Sequence, residues 1–534
     1  MLIGSGAFER GTVALLLLVG LGLSAGTAEA KLPYTVKVDC GKGEAIGKVL
    51  DKADKQKPLV VVVQGTCNEN VTIIRDDVTI RGEGATVIGS DPTRATIFLD
   101  GARRIVLDNL SVTGAQDGIF GNRGATFDLR NCSVRSGRIG VVAANGGTAA
   151  VDTCDIGPNG QNGILAANSA QLSLTNSTVH DSGREGVVAV RNAHIRVGQD
   201  LLASTVGPVT IRANGGAGLV VTENSAGILI ASTLENNAGN GVFVGRGSNA
   251  QVGVGSLGVL GPNTIQNNGG TGVGVFQASQ ALINGNTIQL NAGDGVFAEG
   301  SSITVISNTI LSNGVKGVEV TNSGNARIGV SDSNQPGPNV IRSHAYEGIQ
   351  ITNSAAAFML GNTIESNGLP TGRPGVGIYR ATGRLVGDNT IQGNGGNGVE
   401  VVQGALFQGK GDFFNLAPGP DTIQGNPRSG IFAFNGATLD IQNAIVSGNS
   451  QNGIALNTHS VLRIFNSTVS GNVQNGIRLE FDSAVVFFGP PGSLPASVTG
   501  NGGFAVSCGA AESSLAGDTS GVPAGGIEAT CTGF

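Results

Sequence analysis

Tryptophan is missing from this chain of 534 residues, tyrosine occurs three times, methionine twice, and charged residues make up only 13%. An ordinary soluble domain carries about 25% charge. With so few Lys and Arg and a formal net charge of −6, a nucleic-acid partner is excluded, because it calls for a basic face. Proline is scarce and the glycines keep no three-residue period, which excludes collagen. Apolar residues at helical spacing are also missing, apart from one short stretch near the N-terminus. Past residue 30 no apolar run is long enough to span a bilayer. What the chain has in quantity is glycine, 88 residues, with Asn, Val and Ile spread along it, and 40% of it is hydrophobic. That is too apolar for a disordered polymer.

The first thirty residues have the pattern of an export signal. The run 12–25 (TVALLLLVGLGLSA) follows Arg10 and precedes Ala28-Glu29-Ala30, a small-x-small cleavage site, so the mature chain is expected to start at Lys31. An extracytoplasmic location follows, periplasmic or secreted, with no membrane span after cleavage. Six cysteines lie beyond that point: Cys40, Cys67, Cys132, Cys154, Cys508 and Cys531. An even set in an exported chain predicts disulfides. No CxxC pairs are spaced as in a zinc site, and no metal or other cofactor is expected.

From residue 118 the chain returns repeatedly to Gly, an aliphatic residue, any residue, and a small or aliphatic one. The markers run from Gly118, Gly140 and Gly163 to Gly430, Gly453 and Gly476, mostly 22 or 23 residues apart, with some gaps near 31. A recurrent unit of that size predicts a solenoid. Within a unit the apolar positions alternate: Ile454 and Leu456, then Leu462 and Ile464, then Val469. That pattern predicts three short strands per unit, each with one buried face. Stacked at about 4.8 Å, such units make an all-β parallel β-helix. The expected organisation is a signal peptide over 1–30, an N-terminal cap and first strands over 31–75, the β-helix over 76–502, and a C-terminal cap over 503–534.

Three columns follow from the register. Asn214, Asn237, Asn268, Asn291, Asn313, Asn394, Asn426, Asn449 and Asn472 stand four residues before a marker glycine and predict a ladder of stacked amides. Thr178, Thr210, Thr233, Thr264, Thr287 and Thr309 begin third strands and predict a packed β-branched file. LRNCSV (129–134) superimposes on VDTCDI (151–156) at a 22-residue offset. Cys132 and Cys154 therefore fall on neighbouring coils at a spacing compatible with a disulfide. At the ends, Ala45, Ile46, Val49, Leu50 and Ala53 share one helical face, which suits a lid over the first coil that Cys40 and Cys67 would pin. Cys508 and Cys531 would staple the other cap. Some long units carry an insert ending in Gly-Pro (Gly207-Pro208, Gly261-Pro262, Gly337-Pro338, Gly419-Pro420, Gly489-Pro490). These inserts predict a row of loops on one side, about 14 Å apart where they recur every third coil.

The units NGI-x-(V/L)…N-(S/T)-(T/I)-(I/V)-x-x-N, as at 452–472, resemble the right-handed parallel β-helix repeats of the pectin-lyase-like superfamily over roughly residues 60–500. The resemblance implies right-handed coiling and a polysaccharide, or another cell-surface polymer, as partner. Relatives of this kind include lyases, uronate epimerases and glycoside hydrolases, yet their signatures are not evident: there is no Trp-Ile-Asp-His segment, and Asp91-Pro92-Thr93-Arg94 keeps only the first two residues of an Asp-Pro-x-Asp motif. The shortage of Trp and Tyr also removes the usual stacking platforms for sugar rings.

Residues two after the markers are expected to point outward. The candidate binding face comprises Phe120, Val142, Leu165, Val188, Val220, Phe243 and Phe297, followed by Glu319, Gln350, Glu400 and Arg478. Its first six members form an apolar stripe of a size usually associated with interaction. Asp294, Lys316 and Glu347 precede consecutive markers and are expected to stack with alternating sign. Two functions are therefore expected to compete. One is a binding or scaffolding role at the cell envelope through polysaccharide. The alternative is a lyase or uronate epimerase acting on an acidic polymer with bound Ca²⁺. Three or more carboxylates with Arg or Lys on one face across adjacent coils would favour the second.

Overall fold

The computed structural model describes residues 33–114, 116–408, 418–489, 494–509 and 513–531. The expected signal peptide, the insert 409–417 and Pro490 lie outside them. The chain is a parallel β-helix of about 19 turns and about 23 residues per turn. Each regular turn carries three strands, so the rod has three faces, called here the glycine face, the loop face and the threonine face.

The register is that of the sequence repeat. On the glycine face Ile431, Ile454 and Ile477 pair in successive turns. On the loop face the partners are Leu439, Leu462 and Val485, and on the threonine face Val446, Val469 and Val498. All nine are buried. Fully burying a Val, Ile or Leu contributes roughly 1.5–3 kcal/mol, so alternation along each short strand is what closes the rod. Near the N-terminus the strands Val78–Ile88 and Ile105–Thr113 each run across a corner. Their pairing shifts between Arg81 and Ala85, and this joins loop and threonine faces into one 36-stranded sheet.

The marker glycines are steric requirements. A Cβ on Gly453 would meet Val469 Cγ1 at 2.4 Å and the Gly476 carbonyl oxygen at 2.7 Å. The marker glycine and the third strand of the unit it opens approach too closely for any side chain.

The expected asparagine column is a continuous ladder. Asn268 Nδ2 donates to Asn291 Oδ1 at 2.9 Å and Asn291 Nδ2 to Asn313 Oδ1 at 3.0 Å, each also accepting the backbone N–H of the preceding member. It extends to Asn501, with His344 standing in for one asparagine. A second ladder, absent from the sequence reading, flanks the other end of the third strands and runs Asn263, Asn286, Asn308, Asn339, Asn362, Asn389 and Asp421. The threonine file pairs as expected through Thr178, Thr210, Thr233, Thr264, Thr287 and Thr309.

Both caps carry their bridges. The helix Ile46–Lys52 buries Ile46 and Leu50 over the first coil. Glu69 accepts the N–H groups of Ile46 and Gly47 at its N-terminus, and Arg75 donates to the Ala53 and Asp54 carbonyls beyond its C-terminus. Cys40 and Cys67 are bonded, as are Cys508 and Cys531. Past Gly503 the strands Val506–Cys508 and Ser514–Gly517 still pair in register with the preceding turn.

The expected Cys132–Cys154 bridge is not formed: both are buried free thiols. They do sit on neighbouring turns, one residue before the paired Ser133 and Asp155. The reason is their column. Cys132, Cys154 and Ser177 occupy the column of the second ladder nearer the N-terminus, beyond a break at Val209, and Cys154 and Ser177 each accept the backbone N–H of the member before it. Cys132 N–H donates to Cys154 Sγ at 3.4 Å and Cys154 N–H to Ser177 Oγ at 2.9 Å. Each thiol in turn donates to the carbonyl two residues earlier, at 3.2 Å. In-register stacking keeps their Cα–Cβ bonds parallel, whereas each bonded pair joins residues that are not register partners.

Among the described residues no helix is long and apolar enough to cross a membrane.

Candidate functional site

All eleven residues of the expected binding face fall in one column of the glycine face. The pairing runs from Phe120 through Val142, Leu165, Val188, Val220 and Phe243. It continues through Gly274, Phe297, Glu319, Gln350, Gly377, Glu400, Phe432 and Ala455 to Arg478. The apolar half is less open than the sequence implies. Val142 and Val188 keep only 5% and 8% of their surface, and Phe120 and Leu165 pack with Val142, Ile139 and Ala144 into a small outer cluster. Stacking at about 4.8 Å lets neighbours in the column cover one another. Gly274 interrupts the file so that the Phe276 ring can lie over it, 5.0 Å from Phe243 and 5.2 Å from Phe297.

The polar half brings charged groups together. From the turn just ahead of the strand Val318–Thr321, Lys316 Nζ donates to Glu319 Oε2 at 2.7 Å, and Lys316 N–H donates to Asp294 Oδ1 at 2.8 Å. The simple alternating stack expected for Asp294, Lys316 and Glu347 is replaced by this closer arrangement. Burial pushes the Asp294 carboxyl up to about 6; Lys316 opposes the rise and Glu319 adds to it.

Glu347, buried, turns the other way. Tyr379 Oη donates to Glu347 Oε1 at 3.2 Å and approaches Glu400 Oε1 at 3.5 Å, with Arg373 NH1 4.0 Å from Glu347. Gly377 makes this possible: a Cβ there would stand 2.7 Å from the Tyr379 ring and hydroxyl. Burial, then the charges on Glu400 and Glu347, push the phenol well above its ordinary range. Asn397 Nδ2 fixes the other Glu400 oxygen at 2.9 Å.

From Glu400 the face opens into a cleft of about 560 Å³. Glu400, Arg428, Phe432 and Arg478 are among its lining, with side-chain amides from Gln451, Asn452, Gln474 and Asn475. Arg478 donates to Glu480 Oε1 and, at 2.7 Å, to Ser507 Oγ, which donates on to Glu528. Of the expected face, Glu400 and Arg478 line this cleft, Glu319 and Gln350 lie N-terminal to it in the column, and the aromatic and aliphatic members lie outside it.

Sequence reading missed Tyr379, Arg373, Arg428 and Asn397. Asn397 stands one residue before a marker glycine, the position that singled out Asp294 and Lys316, and Arg373 and Arg428 stand two residues before one. Tyr379 had a subtler signal, a glycine at the outward position two residues before it, as with Gly274 and Phe276.

The inserts project from the ends of loop-face strands. Those after His194–Val197, Asn249–Val252 and Asn325–Ile328 fold as short antiparallel turns, bridged at Gln199 and Val206, Val254 and Leu260, and Val330 and Pro336. The last two leave strands three turns apart.

A solenoid whose strands stack in parallel in every turn, with a buried asparagine ladder between them, defines the class: a parallel β-helix. The model of the right-handed β-helix region matches residues 63–206 and 203–337, together more than half of the chain. The protein belongs to that family, and the handedness is the one the repeat resemblance implied. Among solved structures it is similar to the periplasmic alginate epimerase AlgG (13% identity, 66% of this chain and 85% of that one, TM-score 0.38). It is also similar to the A-module of the Azotobacter vinelandii mannuronan C-5 epimerase AlgE4 (14%, 85% and 95%, TM-score 0.25) and to pectate lyase Pel9A (11%, 67% and 77%, TM-score 0.26). Among curated proteins, none matches the chain by sequence.

Proposed function

We propose that this is an exported rod that binds polysaccharide along the polar half of its glycine face, with a binding or scaffolding role at the cell envelope. One observation carries the reading: the cleft running from Glu400 to Arg478 combines six side-chain amides with two carboxylates and two guanidinium groups. Amides and carboxylates suit vicinal hydroxyls, since an amide both donates and accepts along a ring edge and a carboxylate accepts from two hydroxyls. Phe432 supplies an apolar patch for a ring face. The opposed charges, Glu400 and Glu480 against Arg428 and Arg478, suit a neutral chain. Two disulfides support an oxidising compartment.

A second reading is the lyase or epimerase acting on an acidic polymer. What favours it is the gathering of Asp294 and Glu319 with Lys316, and of Glu347 and Glu400 with Arg373, on consecutive turns. Tyr379 weighs against it. A phenol held protonated by two carboxylates serves as a hydrogen-bond donor and not as the base that would remove a proton beside a uronate carboxyl. The surplus of carboxylates there would also repel a polyuronate unless Ca²⁺ intervened.

A glycan array run beside an unsaturated-uronate absorbance assay for the lyase and a solvent-deuterium exchange assay at C-5 for the epimerase, each with and without Ca²⁺, separates the two. Binding without new absorbance or C-5 exchange, weakened by Arg478→Ala, is the expected result. Metal-dependent growth of absorbance or of C-5 exchange would overturn it in favour of the enzyme, and absence of both glycan binding and turnover would overturn both.

A further inference from the structure

A second concavity is on a different face from the proposed cleft. It holds about 940 Å³ and is bordered by the inserts 253–262 and 329–338. Its floor is the outward column of the loop face, where Ile228, Gln251, Leu282, Thr304 and Arg327 pair in successive turns. Aliphatic and polar rungs alternate over the first four of these. With the flanking turns the floor covers six strands, about 24 Å along the axis at a ~4.8 Å repeat.

Both walls are built in advance. In the second insert, Asp332 accepts from Thr304 Oγ1 at 3.0 Å and pairs with Arg327 at 3.6 Å, which ties the loop to the floor. Beneath it Val330, Leu360 and Val386 form a separate buried cluster. In the first, Ser256 N–H donates to the Oε1 of buried Gln199, so that this insert rests on the one before it. Leu257 is held at the lip of the groove with 91% of its surface in water, an unfavourable placement that a ligand would relieve.

The floor amides differ from those of the threonine face. There Gln289 donates to Gln266 and Gln266 to Glu235, so that the column satisfies itself. In the groove no side-chain hydrogen bond joins Asn249, Gln251, Gln280, Ser302 or Asn325 to the described residues, and their donors and acceptors face the opening. The charges at the floor, Arg327 and Asp332, neutralise each other.

We infer that this groove is a second glycan-binding site, taking a neutral, hydroxyl-rich oligosaccharide. Its open amides meet hydroxyls, while Ile228, Leu282 and Leu257 meet the apolar ring faces. A preformed groove keeps the ordering cost of binding low. Because it lies on a different face from the Glu400–Arg478 cleft, one rod engages two polymer chains at once and bridges them. That bridging rests on the proposed cleft; the groove itself does not.

The test uses the full mature chain, a length-graded set of neutral oligosaccharides (cello-, xylo- and galacto-series) in calorimetric titration, and beads coated with the matching polysaccharide. Wild type is expected to bind two oligosaccharides per chain and to cluster the beads. Gln251→Ala with Gln280→Ala, both solvent-facing, should weaken the groove about tenfold or more through lost hydrogen bonds, leaving one site and no clustering. Leu257→Asp should do the same without touching the floor. Arg478→Ala should remove the other site. One site in wild type that the groove variants leave intact overturns the groove while the cleft stands. One site that the groove variants abolish and Arg478→Ala leaves intact overturns the cleft while the groove stands. Two sites without clustering overturn the bridging, and no binding to any series overturns the groove's ligand class.

Discussion

His344 Nδ1 accepts the backbone N–H of Asn313 at 3.1 Å while its Nε2 lies 3.1 Å from the Ile310 carbonyl. An imidazole thus takes the acceptor and donor positions that asparagine fills in the rest of the ladder. Both bonds require the neutral ring with the proton on Nε2. Burial lowers its pKa from the ordinary 6.5 to about 4.

Acid sensitivity follows. The unfolded chain binds a proton near pH 6.5 and the folded one does not until about pH 4. This stabilisation is full above pH 6.5 and is lost as pH falls toward 4. At about 1.4 kcal/mol per pH unit it amounts to roughly 3 kcal/mol. His344→Asn should lose less stability between pH 7 and pH 4.5 than wild type does, in urea unfolding at each pH. Equal losses would show that the histidine is not the group responsible.

Asp294 has the opposite sign. Its folded pKa is raised to about 6, so its contribution is complete at low pH and is lost as pH rises through 6. Asp294→Asn should therefore raise the thermal midpoint at pH 8 and leave it unchanged near pH 4. A variant less stable at pH 8 would mean that the Lys316 contacts outweigh the burial of charge.

Asn291→Ala should cost about 2–4 kcal/mol, because it orphans buried groups above and below. Asn268 loses its acceptor, and Asn313 Oδ1 and the Ile265 carbonyl lose a donor. An exposed asparagine outside the ladders, such as Asn224, supplies the control in the same denaturant titration. A loss no larger than the control's would show the ladder to be incidental.

Thiol labelling in denaturant without reductant should modify Cys132 and Cys154 and leave the other four cysteines unreacted; native protein should label at neither, since both are buried. The double variant Cys132→Ser with Cys154→Ser should lose no more than about 1–2 kcal/mol, as Ser177 already performs this task in the same column. A bonded Cys132–Cys154 pair in mass spectrometry would contradict the column argument.

Gly377→Ala should lift Tyr379 off Glu347 and Glu400, since the added methyl carbon needs the space the ring occupies. Oligosaccharide affinity at the adjoining cleft should fall several-fold with the circular-dichroism spectrum unchanged. Unchanged affinity would place Tyr379 outside the binding apparatus.

The period, the strand alternation, the marker glycines, the first asparagine ladder and the single column from Phe120 to Arg478 were legible in the amino-acid sequence. Each depends on one rule repeated in every turn, so that a residue's place is set by its distance from the nearest marker. What the sequence could not determine is how side chains in neighbouring columns settle against one another. Whether Lys316 reaches forward to Glu319 or across turns, whether Tyr379 leans over Gly377, and whether two stacked thiols bond or join a hydrogen-bonded column depend on rotamers and on contacts between columns. The same holds for the groove, whose walls belong to inserts three turns apart: the period fixes their spacing, and only the folded rod decides that they enclose a space.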